Sequence, residues 1–463
     1  MVAMNLNFFR PGWRSVVVGF FAACLASLQS FAGDTRPNII FLLTDDMGYG
    51  DVGCYGGDFV PTPNIDRLAT EGTKFTQFYV ASPVCSPSRT GFLTGMYPAR
   101  WRITNFLQTR AGNRKSEQAD FLDPKAPSIA RTLKAAGYVT GHFGKWHMGG
   151  GRDVTNAPPF REYGFDEHAG TWESPEPDPN ITATNWIWSA QDKVKRWDRT
   201  AYFVDKTLDF LKRHKGQPCY VDVWPDDVHT PWVPEGAYRD KREGDDNAPN
   251  YESPANFKAV LREYDRQVGR LLDGLKDLGI GDNTILIFSS DNGPLPTFRG
   301  KRAGGLRGSK ISLYEGGDRE PLIVRWPGHF PAGRVDDKTV ISAVDFFPIF
   351  CKLTGTPIPG NTAFDGEDLT DSFFGKSMTR QNPLFWEYGR NETFGYPKNP
   401  HDRSPNVAIR DGKWKLLVNA DGSGLQLYDL DADRNETKNV AEANPVEAKR
   451  LSEAALQWRK SLP

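Results

Sequence analysis

Residues 82–95 read SPVCSPSRTGFLTG, setting a cysteine, a proline two residues on and an arginine four residues on in a chain that barely uses cysteine. Ser86 suits the N-cap of a helix and Pro87 its first position, so a helix is predicted to begin just after Cys85. The helix terminus and Arg89 would then both direct positive charge at position 85. Such surroundings activate a thiolate, and they equally suit an oxygen nucleophile attacking an anionic ester. The plainer alternative is a buried cysteine beside a surface arginine. Two other stretches carry hard oxygen donors: Asp45-Asp46 closes NIIFLLTDD, and Asp291-Asn292 lies in TILIFSSDNG. Ligands of open α/β sheets bind at the carboxyl ends of strands, so two acid-ended strands could share one site. Taken singly, each pair could equally be a turn or a cap.

These residues need elements to bring them together. Short apolar runs alternate with helical patterns, the signature of an α/β sheet. NIIFLLTDD, CYVDVWP, TILIFSSDNG and EPLIVRWP read as buried strands, with helices around 64–72, 127–136, 200–213 and 256–278. The expectation is a large mixed sheet flanked by helices over residues 36–352. Near 353–380 the pattern turns to loops and then to short strands. VAIRDGKWKLL reads as a hairpin with an Asp411-Gly412 turn, followed by LQLYDL and an amphipathic helix over about 444–460. A small antiparallel-sheet-plus-helix subdomain is therefore expected over 353–463.

At 463 residues the chain can bury a large core. With 25% charged residues and a net charge of -1, nothing suggests disorder or general nucleic-acid binding. Arg10 and Arg14 precede SVVVGFFAACLASL, which is too short to span a bilayer comfortably and reads as a signal-peptide core. Ser30-Phe31-Ala32 supplies a cleavage site, so a signal peptide is expected over 1–32. A rival reading makes FAAC a weak lipobox with Cys24 as a lipid anchor. No later segment reads as membrane-spanning, and the expected location is periplasmic or secreted. Cys54, Cys85, Cys219 and Cys351 are too few for a disulfide scaffold. Cys219 and Cys351 lie in apolar runs as core residues, and the lack of any C-x-x-C argues against zinc.

CSPSRTGFLTG resembles the signature of the type I, formylglycine-dependent sulfatases of the alkaline phosphatase superfamily, C-x-P-S-R followed by L-T-G. PNIIFLLTDDMGYGDVGCYG is similar to that family's N-terminal strand and metal loop, GHFGKWHMG to its Gly-Lys-Trp-His segment and FSSDNG to its second metal strand. GSKISLYEGGDREPLIVRWPG resembles its substrate-side lysine segment. The matches run from about residue 36 to 330, with a weaker likeness through LFWEY and IRDGKWKL, and the chain looks like an arylsulfatase or N-acetylgalactosamine-sulfatase.

The resemblance implies an alkaline phosphatase-like fold and a sulfuric ester hydrolase whose Cys85 is converted to formylglycine by a formylglycine-generating or sulfatase-maturating enzyme. It assigns Asp45, Asp46, Asp291 and Asn292, with the modified Cys85, to one calcium ion, and Arg89, Lys145, His147, His229 and Lys310 to the reaction. Three carboxylates and an amide oxygen form a hard set that favours calcium over zinc. Lys145 and His147 lie two apart in what reads as an extended segment, so both could point into one cleft. His142, His168, His214 and His329 are left as structural or surface residues. By family likeness, a hydrated aldehyde attacks sulfur with one hydroxyl beside Arg89, while His229 or Lys310 protonates the departing alcohol. His147 takes the proton of the other hydroxyl to release sulfate, and Lys145 and Lys310 bind the sulfate oxygens.

FRGKRAGGLRGSK places Arg299, Lys301, Arg302, Arg307 and Lys310 within 12 residues, which reads either as a solvated loop or as a basic rim for a polyanion. Trp172, Trp224, Trp232 and Trp386 lie near motif segments and could stack on sugar rings, although core tryptophans are commoner. His401 and Arg403 in NPHDRSP are further candidates for sugar contacts. Together with export, these features favour a sulfated carbohydrate substrate. Trp232 stands where a second histidine is common in glycan-acting relatives, so the sugar and the hydroxyl are not assigned. Two rivals remain: a formylglycine-dependent phosphodiester or phosphonate hydrolase, and a non-catalytic binding protein on the same fold. A two-zinc phosphatase would need a histidine motif where Asn292 stands.

Overall fold

The run NIIFLLT forms strand β1 (Asn38–Thr44), every residue of which is buried. A strand covered on both faces shows no polar alternation, and β1 lies inside a nine-stranded mixed sheet. The structure is a computed structural model that describes residues 36–181, 193–236, 253–360, 362–390 and 396–463. The signal-peptide segment and Cys24 lie outside the described residues.

The other strands of the sheet are β2 (Thr73–Tyr79), β3 (Val139–Gly144), β4 (Glu167–Gly170), β5 (Cys219–Trp224), β6 (Thr284–Ser290), β7 (Arg319–Arg325), β8 (Arg334–Asp336) and β9 (Ile341–Ser342). They run in the order β4-β3-β5-β1-β6-β7-β2-β8, with β9 also on β2. From β4 through β6 all neighbours are parallel. β7 is antiparallel to both β6 and β2, so β2 runs with the parallel set and β7 against it.

Alternate residues of β1 feed two cores. Ile39, Phe41 and Leu43 face one side, where helices α2 (Cys85–Thr94), α3 (Ile129–Ala135) and α6 (Phe346–Thr354) pack. Ile40 and Leu42 face the other, covered by α1 (Pro63–Glu71), α4 (Arg199–Arg213) and α5 (Pro254–Asp277). Each sequence-derived helix is present, with ends shifted by one or two residues.

Strands β10 (Leu384–Glu387), β11 (Val407–Asp411), β12 (Trp414–Val418) and β13 (Gln426–Asp429) form a separate antiparallel sheet backed by α7 (Pro445–Lys460). The β11–β12 turn needs Gly412 because its φ is +58°. The α7 residue Trp458 stacks on Phe385 at 5.0 Å and meets Tyr97 edge-on at 5.5 Å, so this lobe shares a core with the large sheet. Residues 36–463 accordingly form one compact unit. Among the described residues, no helix is long and apolar enough to cross a membrane.

The basic run after β6 corrects one expectation. Arg302 is fully buried, not on a rim. Its guanidinium holds Asp51 at 2.7 Å, donates to the Asp46 carbonyl at 2.7 Å and lies 4.4 Å from the Phe257 ring centroid. Its own carbonyl accepts from the Gly50 amide at 2.7 Å. Arg302 thus pins the loop that leaves β1. Removing it would strand the Asp51 carboxylate in the core, so Arg302→Ala is expected to lower stability by about 3–5 kcal/mol. Chemical denaturation measures this, and unchanged stability with a salt-dependent loss on polyanions alone would restore the rim reading.

Candidate active site

One edge of the sheet gathers the motif residues. β1 ends into Asp45 and Asp46, β6 into Asp291 and Asn292, β3 into Lys145, and β5 into the loop bearing His229. β2 runs the same way and leads to Cys85. β7 runs opposite, so it starts at this edge, and Lys310 precedes it there. The antiparallel strand therefore adds a sixth segment to the carboxyl edge of the parallel ones.

Cys85 is itself the first residue of α2, with Val84 as N-cap. The expected Ser86 cap is corrected: Ser86 Oγ instead accepts from the Leu107 amide at 2.9 Å. The Cys85 Sγ is buried, 3.6 Å from Asp45 Oδ1 and 3.4 Å from Lys145 Nζ. Burial outweighs Lys145 and Lys310 and pushes the thiol above its ordinary range. One turn further on, Arg89 spends its charge on Asp291, with Nε at 2.9 Å and Nη2 at 2.7 Å, and not on Cys85 directly. Its Nη1 donates to the Lys145 carbonyl at 2.7 Å.

Lys145 Nζ lies 2.6 Å from Asp45 Oδ2. Its placement depends on Gly144, where a Cβ would sit 2.0 Å from the Trp224 carbonyl oxygen. The extended reading of the next residues is corrected, because His147 has a left-handed backbone at φ +54°. The His147 ring is buried, with Nε2 3.2 Å from the Leu107 carbonyl and 3.3 Å from Glu173. Its Nδ1 has no hydrogen-bond partner among the described residues. His229 points Nε2 at Asp46, 3.6 Å away, and Nδ1 at the Thr230 carbonyl at 2.6 Å. Lys310 Nζ lies 2.7 Å from Asp46 Oδ1 and 2.8 Å from Oδ2.

Burial would raise the Asp45 carboxyl, but Lys145, His229, Arg89 and Lys310 together hold it far below the usual range. Asp46 is also lowered: Lys310 and His229 override burial and the repulsion of Asp45. Asp291 goes the other way, up to about 6, because burial and Asp45 outweigh Arg89. Burial and Lys310 press His229 down to about 4. Burial, then Lys145 and Arg152, push His147 well below its ordinary value. Both imidazoles are thus neutral near pH 7.

Asp45, Asp46, Cys85 and His229 place ligand atoms within 4.8 Å of one another. Asn292 donates Nδ2 to Asp46 at 2.7 Å, while its buried Oδ1 has no hydrogen-bond partner among the described residues. An unused amide oxygen among carboxylates fits a hard cation. Asp291 lies outside the tight group of four, turned to Arg89.

Several surrounding residues were not legible in the sequence. Glu173, in the loop after β4, is buried and grips Arg152 at 2.6 Å as well as His147. Arg196 fixes the His229 loop, donating to the Asp226 carbonyl at 2.8 Å and the His229 carbonyl at 3.2 Å. Asp45, Lys145, Thr171, Glu173, Arg196, Asp226 and His229 line one cavity. No motif carries Glu173 or Arg196.

The sugar-stacking expectation fails for Trp224, Trp232 and Trp386, which are fully buried; Trp232 donates to the Val228 carbonyl at 2.8 Å. Trp172 is half-buried beside Glu173, under Arg152 at 5.8 Å. Arg307 is also corrected from the rim, since it donates to Tyr428 Oη at 2.8 Å and covers the Tyr314 ring at 3.7 Å. Lys301 pairs with Asp58 and Arg299 is exposed. His401 and Arg403 are exposed on the small lobe. Burial pushes the Cys219 and Cys351 thiols up to about 12.

Clustered carboxylates facing a ring of buried cations at a strand edge suit the handling of an anionic ester. The sequence matches the model of the Sulfatase family over residues 37–356, and that of the N-sulphoglucosamine sulphohydrolase C-terminal region over 309–459. It is 30% identical to an N-acetylgalactosamine-6-O-sulfatase of Bacteroides thetaiotaomicron, covering 94% of this chain and 96% of that one. It is also 30% identical to human arylsulfatase A, over 93% and 89% of the two chains. A solved structure from work on the metabolism of multiple glycosaminoglycans by Bacteroides thetaiotaomicron superposes with a TM-score of 0.73 at 27% identity, covering 92% of this chain and 100% of that one. The chain belongs to the sulfatase family, and the activity is that of a sulfuric ester hydrolase.

Glu173 is the most accessible test of this arrangement. Glu173→Ala should free the His147 ring and lower kcat on p-nitrophenyl sulfate by roughly 10- to 100-fold, with KM changed less. Glu173→Gln, which keeps one acceptor, should recover part of the loss. Wild-type kcat in the alanine variant would show that His147 does not depend on this contact.

Proposed function

We propose that this sulfatase acts on sulfated glycans after export, with Cys85 matured to formylglycine and one calcium ion bound. The carrying observation is the environment of Cys85: a buried thiol that burial pushes above its ordinary range, 3.4 Å from Lys145 and 3.6 Å from Asp45, within CSPSR. A thiol so placed is a poor nucleophile, and replacing its sulfur by an aldehyde oxygen removes that defect. Hydrated, the aldehyde supplies two hydroxyls, so sulfate taken up by one can be expelled through the other. Asp45, Asp46, Asp291 and Asn292 would hold calcium beside position 85, where it would offset charge on the sulfate oxygens.

This chain's own side chains do the rest. Lys145 and Lys310 bind sulfate oxygens, and Arg89 fixes Asp291 and the Lys145 main chain so that both stay in register. His147, with Nδ1 unpartnered among the described residues, takes the proton of the second hydroxyl. Lys310, kept charged by Asp46 against burial, and His229 face the departing alcohol. Burial and Lys310 press His229 down to about 4, so of the two it is Lys310 that holds a proton near pH 7. The glycan assignment is supported by the similarity to N-acetylgalactosamine-6-sulfatases and by half-buried Trp172 beside the cavity wall. Export and a maturating partner enzyme are supported by the N-terminal apolar run and by the CSPSR signature.

Three measurements test this reading. The active chain should carry a peptide about 18 mass units lighter at residue 85 than the thiol form, the difference between cysteine and an aldehyde. Expression without a maturation enzyme should give the thiol and no turnover; full activity with the thiol would refute the assignment. Cys85→Ser should accept sulfate at most once and stall as a sulfated serine, whereas steady turnover would contradict the two-hydroxyl scheme. Sulfate release from a panel of sulfated saccharides, run beside phosphate diesters, then identifies the substrate class. Preference for the diesters would overturn the glycan reading.

A further inference from the structure

Lys310 lies on a stretch that precedes a strand of the large sheet yet is held by the small lobe. Arg307 donates to the His401 carbonyl at 3.0 Å and to the Glu436 carbonyl at 3.1 Å. The Leu313 amide donates to Ser404 Oγ at 2.9 Å, and Tyr314 Oη to Gln426 at 2.8 Å. The Glu315 amide donates to the Glu436 carboxylate at 2.6 Å. Behind these contacts, Lys415 of β12 lies 2.9 Å from Glu315 and 3.4 Å from Glu436, and all three side chains are fully buried.

The opposite side of the same stretch is fastened to the active site. The Lys310 amide donates to the Pro294 carbonyl and the Ile311 amide to the Pro83 carbonyl, both at 2.8 Å. These loops carry Asn292 and Cys85. Between the two sets of bonds, Ile311 sits at φ +63°. A β-branched residue enters that region only where its surroundings enforce it. The stretch is therefore clamped from both sides around one strained residue, next to the lysine that reaches Asp46.

We propose that Lys415 and Glu436 are positioning residues for Lys310, acting through the buried Glu315–Lys415–Glu436 triad and the strained Ile311. The triad fixes where residues 313–315 lie. That fixes the tension across Ile311 and so the reach of Lys310 Nζ. The small lobe is then part of the catalytic apparatus without touching substrate. The inference rests on the role given to Lys310 above.

The test is a double-mutant cycle in the full chain. Glu436→Gln keeps shape and an acceptor for the Glu315 amide while replacing the carboxyl beside Lys415 with a permanently neutral amide. It should lower kcat on p-nitrophenyl sulfate by about 10-fold or more, as a misplacement of about 1 Å does. In a Lys310→Ala background it should cost little further, because the residue it positions is gone. Ile311→Gly relaxes the strain and should behave the same way with no loss of melting temperature. Acetylation of Lys310 by an amine-reactive reagent, read by mass spectrometry, supplies an arm independent of activity: protected in the wild type, labelled in Glu436→Gln. If wild type releases no sulfate, the assigned function fails while the labelling still decides this inference. Equal rate losses with and without Lys310, or unchanged labelling, would overturn it.

Discussion

Three buried carboxylates, Asp45, Asp46 and Asp291, face three buried cations, Lys145, Lys310 and Arg89, at one edge of the sheet. All six side chains are buried. An unpaired ion there would cost several kcal/mol, so every element that ends at this edge must end in register. The pairing is balanced, three against three. A divalent cation added to it leaves a net positive site, and that excess is what a sulfate ester arriving as an anion would offset. The same balance explains why Arg89 turns to Asp291 and leaves the cysteine to burial and two lysines.

The edge is assembled by topology. Four adjacent parallel strands deliver acids and bases from their carboxyl ends, and the antiparallel β7 brings Lys310 to the same place from its start. Arg302 ties the β1 loop down through Asp51, and Arg196 ties the His229 loop. Arg307 and the triad around Lys415 tie the Lys310 segment to the small lobe. Three arginines that would ordinarily read as surface charge are structural fasteners; two of them, Arg302 and Arg307, belong to the basic run, which limits how much of it could meet a polyanion.

Local patterns were legible wherever one residue type answers one local need. The strands announced themselves as unbroken apolar runs and the helices by their caps and periodicity, so the fold followed. The site residues followed from the resemblance and from strand ends rich in oxygen donors. What could not be read depended on partners far apart in the chain. Arg302 is a rim residue by its neighbours and a core residue by Asp51, 251 positions away. The tryptophans carry no mark of whether both faces will be covered. His147 looked extended because a left-handed turn at a non-glycine residue leaves no trace in composition. Glu173 belongs to no motif and matters only because its loop folds back over His147.

The buried acids are proposed to form a cation site set beside position 85. Calorimetric titration of calcium into the metal-stripped full chain tests it most directly, with Asp46→Asn as the paired variant and magnesium as the competing ion. The expected result is about one calcium per chain, a melting temperature that rises with free calcium, and loss of both in Asp46→Asn, with magnesium binding more weakly. Absence of calcium binding, or binding that survives Asp46→Asn unchanged, would contradict it.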